Sequence, residues 1–304
     1  MTQAPQNQTR IDCSIIIPNL HSPIIDRTIR SILAQETDRR YEIIVVGMDK
    51  FGLVEQFGNI TLFFQTEKPT PPAISRNIGV RLSKGERIFF IDADCIADRN
   101  WIENHFRTQE DFNIPIIVGG GVSFASKPFL TLTDNVSTFH EYMVHNKPGE
   151  KSLLPSLNLS MTRIIWDTLQ GFDENFPYAS GEDSDFAMRA INHGYKLLFE
   201  PKAEIVHRPQ RSNLKIIIEH AIRFGEFSIK GNKKYWDNQF IPLPLRHWIL
   251  ALLLSPLIAL FVILKMVFIE KTPLKYWVTL PFVYIYKIYW VVGYAKQIRR
   301  RKKE

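Results

Sequence analysis

Cysteine is scarce in this chain. Its 304 residues include two cysteines, Cys13 and Cys95, which lie far apart in the sequence. Two cysteines are too few for a disulfide-rich scaffold, and they lack the paired spacing of a zinc site. The chain therefore suits a reducing compartment. An apolar leader is also missing, because residues 1–10 are polar. We therefore expect that the N-terminal domain is not exported through a secretory signal.

Low-complexity segments and internal repeats are absent as well. With 45% hydrophobic and 23% charged residues, the composition excludes a disordered or fibrous protein. The formal net charge is +7, and basic residues crowd the end of the chain at Arg299–Lys303. Such a tail suits nucleic acid, an anionic membrane surface or a solubilising end. Because a hydrophobic, aromatic segment directly precedes the tail, we expect membrane lipid rather than nucleic acid as its partner.

Short apolar runs alternate with helical patterns through the first part of the chain. Buried strands are predicted at 14–18, 42–46, 61–64 and 87–91, with helices at 23–35 and 73–83. This order predicts an α/β domain over residues 11–210, with a mostly parallel sheet and helices on both faces. In such sheets ligand-binding residues gather beyond the carboxyl ends of the strands, which is where Asp92 and Asp94 fall.

Two apolar segments follow, within residues 248–295. The first, 248–269, is apolar except for one serine and one lysine, and it exceeds the roughly 20 residues needed to cross a bilayer. The second, 273–295, is rich in aromatic residues and is either a second span or a helix lying in the membrane interface. A buried helical hairpin of a soluble protein is the alternative. With two spans both ends share one side, and the basic tail, residues 296–304, places that side in the cytoplasm.

The linker at 211–247 carries an amphipathic pattern. Leu214, Ile217 and Ala221 share one helical face, with Lys215 and Glu219 on the other. This pattern fits a helix packed on the α/β domain. It fits equally a helix on the membrane surface that frames an acceptor entrance.

Two aspartates follow the strand at 87–91 directly. Because side chains alternate along an extended chain, Asp92 and Asp94 point to the same side. Two carboxylates at a strand end suit Mg²⁺ or Mn²⁺ holding a diphosphate. A strand end at Asp92 and a helix cap at Asp94 are the structural alternatives.

An acidic cluster, Glu182 to Asp185, begins the next candidate element. The pattern predicts a helix whose acidic residues lie in its first turn, and capping alone would explain it. The functional interpretation is that one of these carboxylates is the general base that activates an acceptor hydroxyl.

Two further residues are candidates on weaker signals. His207 ends a predicted strand, and it is either structural or an additional ligand of a metal at Asp94. Arg76 lies in the helix before Asp92, where it either pairs with a diphosphate or makes a surface salt bridge. Gly79 in the same helix would let that helix pack closely on the sheet.

Taken in order, these segments resemble the family 2 glycosyltransferases of GT-A fold. The resemblance covers about residues 11–210 and rests on Ser14–Asn19, Glu42–Val46, Ser75–Gly79, Ile88–Asp94, Asn158–Ser160, Gly171–Glu174, Glu182–Asp185 and His207.

The resemblance implies an inverting transfer of a sugar from a nucleotide-sugar donor to an acceptor hydroxyl, with Asp183 as base and Mg²⁺ or Mn²⁺ as cofactor. The acceptor would be a polysaccharide, a glycolipid or a lipid carrier at the cytoplasmic face of the inner membrane. The implied metal ligands are Asp94 and His207, and the implied donor contacts are Pro18, Asn19, Arg76 and Asp92. Glu182 and Asp173 would lie on the acceptor side.

The sequence departs from this family after its second strand, where two aspartates usually stand. Gly47 and Met48 occupy those places, and Asp49 is the candidate substitute in the donor site. A non-catalytic relative that acts as a membrane-bound scaffold or sugar-nucleotide sensor is therefore a second hypothesis. A nucleotidyltransferase is a third, but residues 19–23 lack the glycine-rich, basic loop that such enzymes generally carry after the first strand.

Overall fold

The computed structural model describes residues 10–301 apart from 113, 126, 212 and 229–241. The strands are β1 (Cys13–Leu20), β2 (Tyr41–Met48), β3 (Thr61–Gln65), β4 (Arg87–Ile91), β5 (Cys95–Ala97), β6 (Ile116–Phe124), β7 (Gly149–Glu150), β8 (Asn158–Thr162) and β9 (Lys196–His207). The helices are α1 (Ile25–Leu33), α2 (Pro72–Leu82), α3 (Trp101–Glu110), α4 (Phe129–Phe139), α5 (Arg163–Leu169), α6 (Glu182–Asn192), α7 (Leu214–Glu226), α8 (Trp248–Leu264) and α9 (Leu280–Arg301).

The sheet has the order β3-β2-β1-β4-β8-β6-β9-β5, and β7 pairs with β9. Strands β1 to β4 pair in parallel, as predicted from the sequence, and β6 pairs in parallel with β9. Strand β8 runs antiparallel between β4 and β6, which makes the sheet mixed. The prediction of a mostly parallel sheet is confirmed.

The core explains why the strands are continuous apolar runs. Residues 15–17 of β1, 43–46 of β2 and 88–91 of β4 are all buried, as expected for strands covered on both faces. Helix α2 lies close on β1, because a Cβ at Gly79 would sit 2.4 Å from the Ile16 side chain. The glycine therefore permits the close helix–sheet packing that the sequence predicts.

The topology gathers chain segments at one edge of the sheet. Strand β4 ends at Ile91, which pairs with Asn158 at the start of β8. Strand β5 follows three residues later, and its Cys95 pairs with His207 at the end of β9. The loop between β4 and β5, which carries Asp92 and Asp94, therefore lies beside the end of β9.

The C-terminal part is a helical hairpin. Helix α8 continues through a π-helical turn, Lys265–Ile269, and a 3₁₀ turn at Leu274–Thr279 leads into α9. In the described part of the chain, Trp248–Ile269 is the one helix long and apolar enough to cross a membrane, and 17% of its most apolar window is buried. Helix α9 continues to Arg301, so the described start of the basic tail is helical.

Helix α7 packs against α9, with Ile217 and Ala221 buried at the contact. A Cβ at Gly225 would lie 1.8 Å from the Trp290 carbonyl oxygen, and one at Gly293 would lie 1.8 Å from that of Ile222. Two glycines thus bring the two helix backbones into contact. Much of the predicted linker, including residues 229–241, lies outside the described residues.

Candidate active site

Arg76 connects the end of β4 to the start of α6. Its Nη2 donates to Asp92 Oδ1 at 2.7 Å, and its Nη1 donates to Glu182 Oε1 at 3.3 Å. The Arg76 side chain is 3% exposed, so this is a buried ion pair and not the surface salt bridge weighed from the sequence. Burial lowers the pKa of Arg76, but the charges of Asp92, Asp183 and Glu182 outweigh burial and raise it. The guanidinium therefore stays charged.

Asp183 lies in the first turn of α6. Its Oδ2 accepts a hydrogen bond from the Ser156 backbone N–H at 3.1 Å, while its buried Oδ1 has no partner among the described residues. Burial raises the pKa of Asp183, against the opposing effects of the Arg76 charge and the Ser156 hydrogen bond. A carboxylate with one held oxygen and one unsatisfied oxygen is suited to accept a proton.

The turn before α6 is fixed by glycine. Gly181 has φ +97°, in the left-handed region that favours glycine. A Cβ at Gly181 would also lie 2.4 Å from the Phe227 carbonyl oxygen. The backbone at Gly181 is therefore closely constrained, and it sets where the first turn of α6 presents Glu182 and Asp183.

Glu182 accepts a hydrogen bond from the same Arg76 guanidinium. It is buried, and its Oε2 has no partner among the described residues. Burial and the neighbouring Asp183 raise the pKa of Glu182, while Arg76 lowers it. Since the charges of Asp92, Asp183 and Glu182 all act on one arginine, the group carries an excess of negative charge or holds a proton.

Asp94 and His207 form a second group. His207 Nε2 lies 3.5 Å from Asp94 Oδ1, and the buried His207 Nδ1 has no partner among the described residues. The Cys95 Sγ belongs to the same cluster, whose ligand atoms all lie within 4.8 Å of one another. Burial raises the pKa of Cys95 well above its ordinary value, and Mg²⁺ and Mn²⁺ prefer oxygen and nitrogen ligands to sulfur. A carboxylate oxygen and an imidazole nitrogen remain, a donor pair that suits Mn²⁺ and also fits Mg²⁺.

A third group was not found by reading the sequence. Asp134 of α4 is fully buried, and it accepts from Arg211 Nη1 at 2.6 Å and lies 2.7 Å from His220 Nδ1. Burial raises the pKa of Asp134, but His220 and Arg211 outweigh burial and hold it at about 2. The Arg211 charge also lowers the pKa of Asp94, which places this cation near the second group. An aspartate in the apolar and threonine-rich stretch 129–139 is the signal that could have revealed it.

The sequence comparisons agree with this geometry. The family model "Glycosyl transferase family 2" matches residues 14–158. The matched region contains β1 to β4, Arg76, Asp92 and Asp94, whereas Asp183 and His207 follow it in the chain.

Two curated glycosyltransferases are similar to the chain. Glycosyltransferase AglE of Haloferax volcanii is 24% identical over 196 residues, which cover 61% of this chain and 63% of AglE. Poly(ribitol-phosphate) β-N-acetylglucosaminyltransferase TarP of Staphylococcus aureus is 27% identical over 117 residues, 35% of either protein. The chain thus aligns with less than two thirds of the length of each relative.

A solved structure shows the fold. The mannosyltransferase PcManGT from Pyrobaculum calidifontis, in complex with GDP-Man and Mn²⁺, superposes with a TM-score of 0.60 at 18% sequence identity. The match covers 96% of this chain and 89% of PcManGT, so it includes the C-terminal hairpin. The predicted GT-A fold with an appended apolar helical region is confirmed.

The departure of the β2 end from the two aspartates expected by resemblance has a backbone cause. Gly47 has φ +135°, and a Cβ there would lie 1.9 Å from the Asn19 carbonyl oxygen. No side chain fits at this position, because β1 and β2 approach too closely. Asn19 itself is buried, donating to the Met48 carbonyl at 3.0 Å and accepting from the Ser22 N–H at 3.1 Å. It holds the ends of β1 and β2 together beside Pro18.

Asp49 and Asp173 each lie in a turn of their own. Asp49 accepts backbone N–H groups of Phe51 at 3.2 Å and Val54 at 2.7 Å, one at each oxygen. Asp173 Oδ1 accepts both the backbone and the side-chain N–H of Asn175. The structure therefore links Arg76 directly to Asp92 and Glu182, and Asp183 is the next residue of α6. The roles of all these residues, and of Asp49 and Asp173, in donor or acceptor binding stay predictions.

Proposed function

We propose that this protein transfers a sugar from a nucleoside-diphosphate sugar to an acceptor hydroxyl, with inversion at the anomeric carbon. The observation that carries the proposal is the unsatisfied Asp183 Oδ1, buried beside the Arg76 that also holds Asp92. A buried acceptor atom without a partner costs about 1–3 kcal/mol. A substrate hydroxyl that donates to Asp183 would remove this cost.

Asp183 is the base in this proposal. Its Oδ1 takes the proton of the acceptor hydroxyl while the hydroxyl oxygen forms a bond to the anomeric carbon. The bond from that carbon to the diphosphate oxygen breaks on the opposite face, and the nucleoside diphosphate leaves. Arg76 and the Ser156 N–H both lower the pKa of Asp183 and so favour the ionised form that accepts the proton.

Asp94 and His207 are the proposed metal ligands, and Mn²⁺ or Mg²⁺ is the proposed cofactor. The distance of 3.5 Å between their nearest atoms is too long for a good hydrogen bond and leaves both atoms available to a cation. A cation held by Asp94 and His207 would supply positive charge for the leaving diphosphate. The Mn²⁺ and GDP-Man in the PcManGT structure support this assignment.

The donor side is proposed to include Asp92, Arg76, Pro18, Asn19 and Asp49. Arg76 holds Asp92 by one oxygen, and the partly exposed carboxylate keeps a second oxygen for the nucleotide or sugar. Because Gly47 carries no side chain, recognition of the nucleoside base depends on other groups at the ends of β1 and β2. Glu182 and Asp173 remain proposed acceptor-side residues.

We propose further that the acceptor is a glycan or a lipid-linked molecule at the cytoplasmic face of a membrane, as in polysaccharide biosynthesis. The exposed apolar helix Trp248–Ile269 supports membrane attachment, because a core helix of a soluble protein would be mostly buried. The inner membrane is the proposed location.

The test is a donor screen with the full chain in detergent. Nucleoside-diphosphate sugars are added with Mn²⁺, with Mg²⁺ or with chelator, and release of nucleoside diphosphate is measured. We expect metal-dependent release with one donor class, loss of release in Asp183→Asn, and normal release in Asp111→Asn, an exposed control. Anomeric NMR of the product should show inversion. Metal-dependent nucleotide binding without any turnover would instead support the sensor hypothesis.

A further inference from the structure

Helix α8 and the π-helical turn after it carry two opposite stripes of side chains. Leu253, Leu257, Phe261 and Phe268 are between 63% and 71% exposed. Two residues before each of them, Ala251, Ser255, Ala259 and Met266 are at most 5% exposed. Because an offset of two residues is about half a helical turn, the large apolar stripe faces away from the protein and the inner stripe faces it.

Ion pairs attach the C-terminal end of this helix to the α/β domain. Lys265 pairs with Glu141, which lies in the 3₁₀ turn directly after α4, and with Glu270 at 3.3 Å. His140 of that same turn lies 2.8 Å from the second Glu270 oxygen. This end is therefore held at the surface of the α/β domain.

The N-terminal end is attached through α9. Ala251 packs with Val291 and Tyr294, and the Tyr294 hydroxyl donates to the Leu245 carbonyl at 2.9 Å. Arg299 of α9 lies over the Trp248 ring at 5.1 Å. This end is therefore held to the far end of α9.

Helix α9 is in turn attached to the α/β domain. Glu226 of α7 pairs with Lys296 at 3.9 Å and with Arg300. Helix α7 is joined to α4 by the hydrogen bond between His220 and Asp134. A helix of 22 residues is about 33 Å long, and both its ends are held by one body. It therefore lies along the body and does not project from it.

A membrane crossing conflicts with these contacts. If α8 crossed the bilayer, either the Lys265–Glu270 cluster or the Glu226 pairs would have to enter the hydrocarbon or reach its far side. Charged groups in the bilayer core are costly, and α7 and α4 would be drawn in with them. The exposed apolar stripe, in contrast, requires lipid only on the outer face of α8, and no charged group has to enter the bilayer.

From this we propose that α8 lies parallel to the membrane, with its outer stripe in one leaflet, and that the hairpin does not cross. The inference rests on the membrane attachment proposed above. Leu274, Trp277 and Val278 extend the exposed apolar surface beyond α8. Lys271 and Lys275 flank it, so the partner is a lipid surface with anionic headgroups.

The test uses single cysteines in the full chain, because Cys13 and Cys95 are both buried. Arg246→Cys precedes α8, Lys275→Cys follows it, Leu257→Cys lies in the outer stripe, and Lys68→Cys is an exposed reference on the α/β domain. Each protein is reconstituted into sealed phosphatidylglycerol-containing vesicles and treated with a membrane-impermeant maleimide, before and after detergent.

We expect positions 246 and 275 to label to the same extent as position 68 in intact vesicles, and position 257 to label only after detergent. Protection of either 246 or 275 relative to 68 would show that α8 crosses, and it would overturn the proposal. Free labelling of 257 would also overturn it, because the stripe would then not be in lipid. Neither result depends on sugar transfer, so this inference can fail while the transferase assignment stands, or the reverse.

Discussion

The candidate active site and the helical hairpin both leave groups that the protein itself does not satisfy, but the groups are of opposite kinds. In the candidate active site, Asp183 Oδ1, Glu182 Oε2 and His207 Nδ1 are buried polar atoms without partners among the described residues. In the hairpin, large apolar side chains such as Leu257 and Phe261 are more than 60% exposed.

The difference supports the ligands proposed for each region. A buried polar atom without a partner costs about 1–3 kcal/mol and is offset when a polar ligand arrives. An exposed apolar side chain of this size gains about 1.5–3 kcal/mol on leaving water. The candidate active site therefore suits the proposed sugar nucleotide, cation and acceptor hydroxyl, and the hairpin suits the proposed lipid surface.

The largest expected effect is at the base. Asp183→Asn removes the proton acceptor but keeps the shape of the side chain, so we expect kcat to fall by about 10²- to 10⁴-fold. Donor binding should change little. Single-turnover transfer by Asp183→Asn and by the exposed control Asp111→Asn measures this. A rate within a few-fold of the parent chain would remove Asp183 from the mechanism.

The next largest effect is expected on membrane binding by the hairpin. Leu257→Gln places a polar group in the outer stripe, and we expect partition into anionic vesicles to weaken by about 10- to 100-fold. Vesicle sedimentation measures it, with transfer to a soluble acceptor unchanged. Leu62→Gln, an exposed leucine of β3, is the matched control and should partition normally. Equal partition of both variants would contradict lipid binding by the outer stripe of α8.

A smaller effect is expected at the end of β2. Gly47→Ala puts a methyl group on the Asn19 carbonyl oxygen at a backbone angle that alanine rarely adopts. The free energy of unfolding should fall by about 1–3 kcal/mol, seen as a lower Tm. Gly194→Ala is the control for the angle alone, because φ there is +82° and nothing lies within 4 Å of its Cβ position. We expect Gly47→Ala to be the more destabilising, and equal losses would contradict the close approach.

The smallest expected effect is a shift in pH dependence. The Arg76 charge lowers the pKa of Asp183, so Arg76→Gln should raise that pKa further. A base with a higher pKa loses its ionised form at higher pH, so the acidic limb of the kcat profile should move upward. Arg76→Lys keeps the charge and should move the limb less. If the acidic limb is unchanged in both variants, Arg76 does not set the pKa of the Asp183 base.

The sequence predicted the parts of the fold that local patterns encode. The runs at 14–18, 42–46 and 87–91 are buried strands, because side chains covered on both faces leave a continuous apolar signal. The antiparallel insertion of β8 between β4 and β6 leaves no comparable signal. It depends on pairing between distant segments.

The candidate site divides in the same way. Asp92, Asp94 and Asp183 stand at predictable strand and helix ends. The pairing of Arg76 with Glu182, 106 residues away, and the Asp134 group with Arg211 and His220 arise only from tertiary contacts. The sequence shows that Gly47 replaces an expected aspartate. The reason, the nearby Asn19 carbonyl oxygen, is a tertiary contact that the sequence does not show.

The central claim is that the candidate active site has two separate carboxylates, Asp94 as metal ligand and Asp183 as base. Calorimetric titration of nucleoside diphosphate with Mn²⁺ into Asp94→Asn and Asp183→Asn tests it most directly. We predict that Asp183→Asn binds like the parent chain, whereas Asp94→Asn binds more than about tenfold more weakly. Parent-like, Mn²⁺-dependent binding by Asp94→Asn would contradict the account.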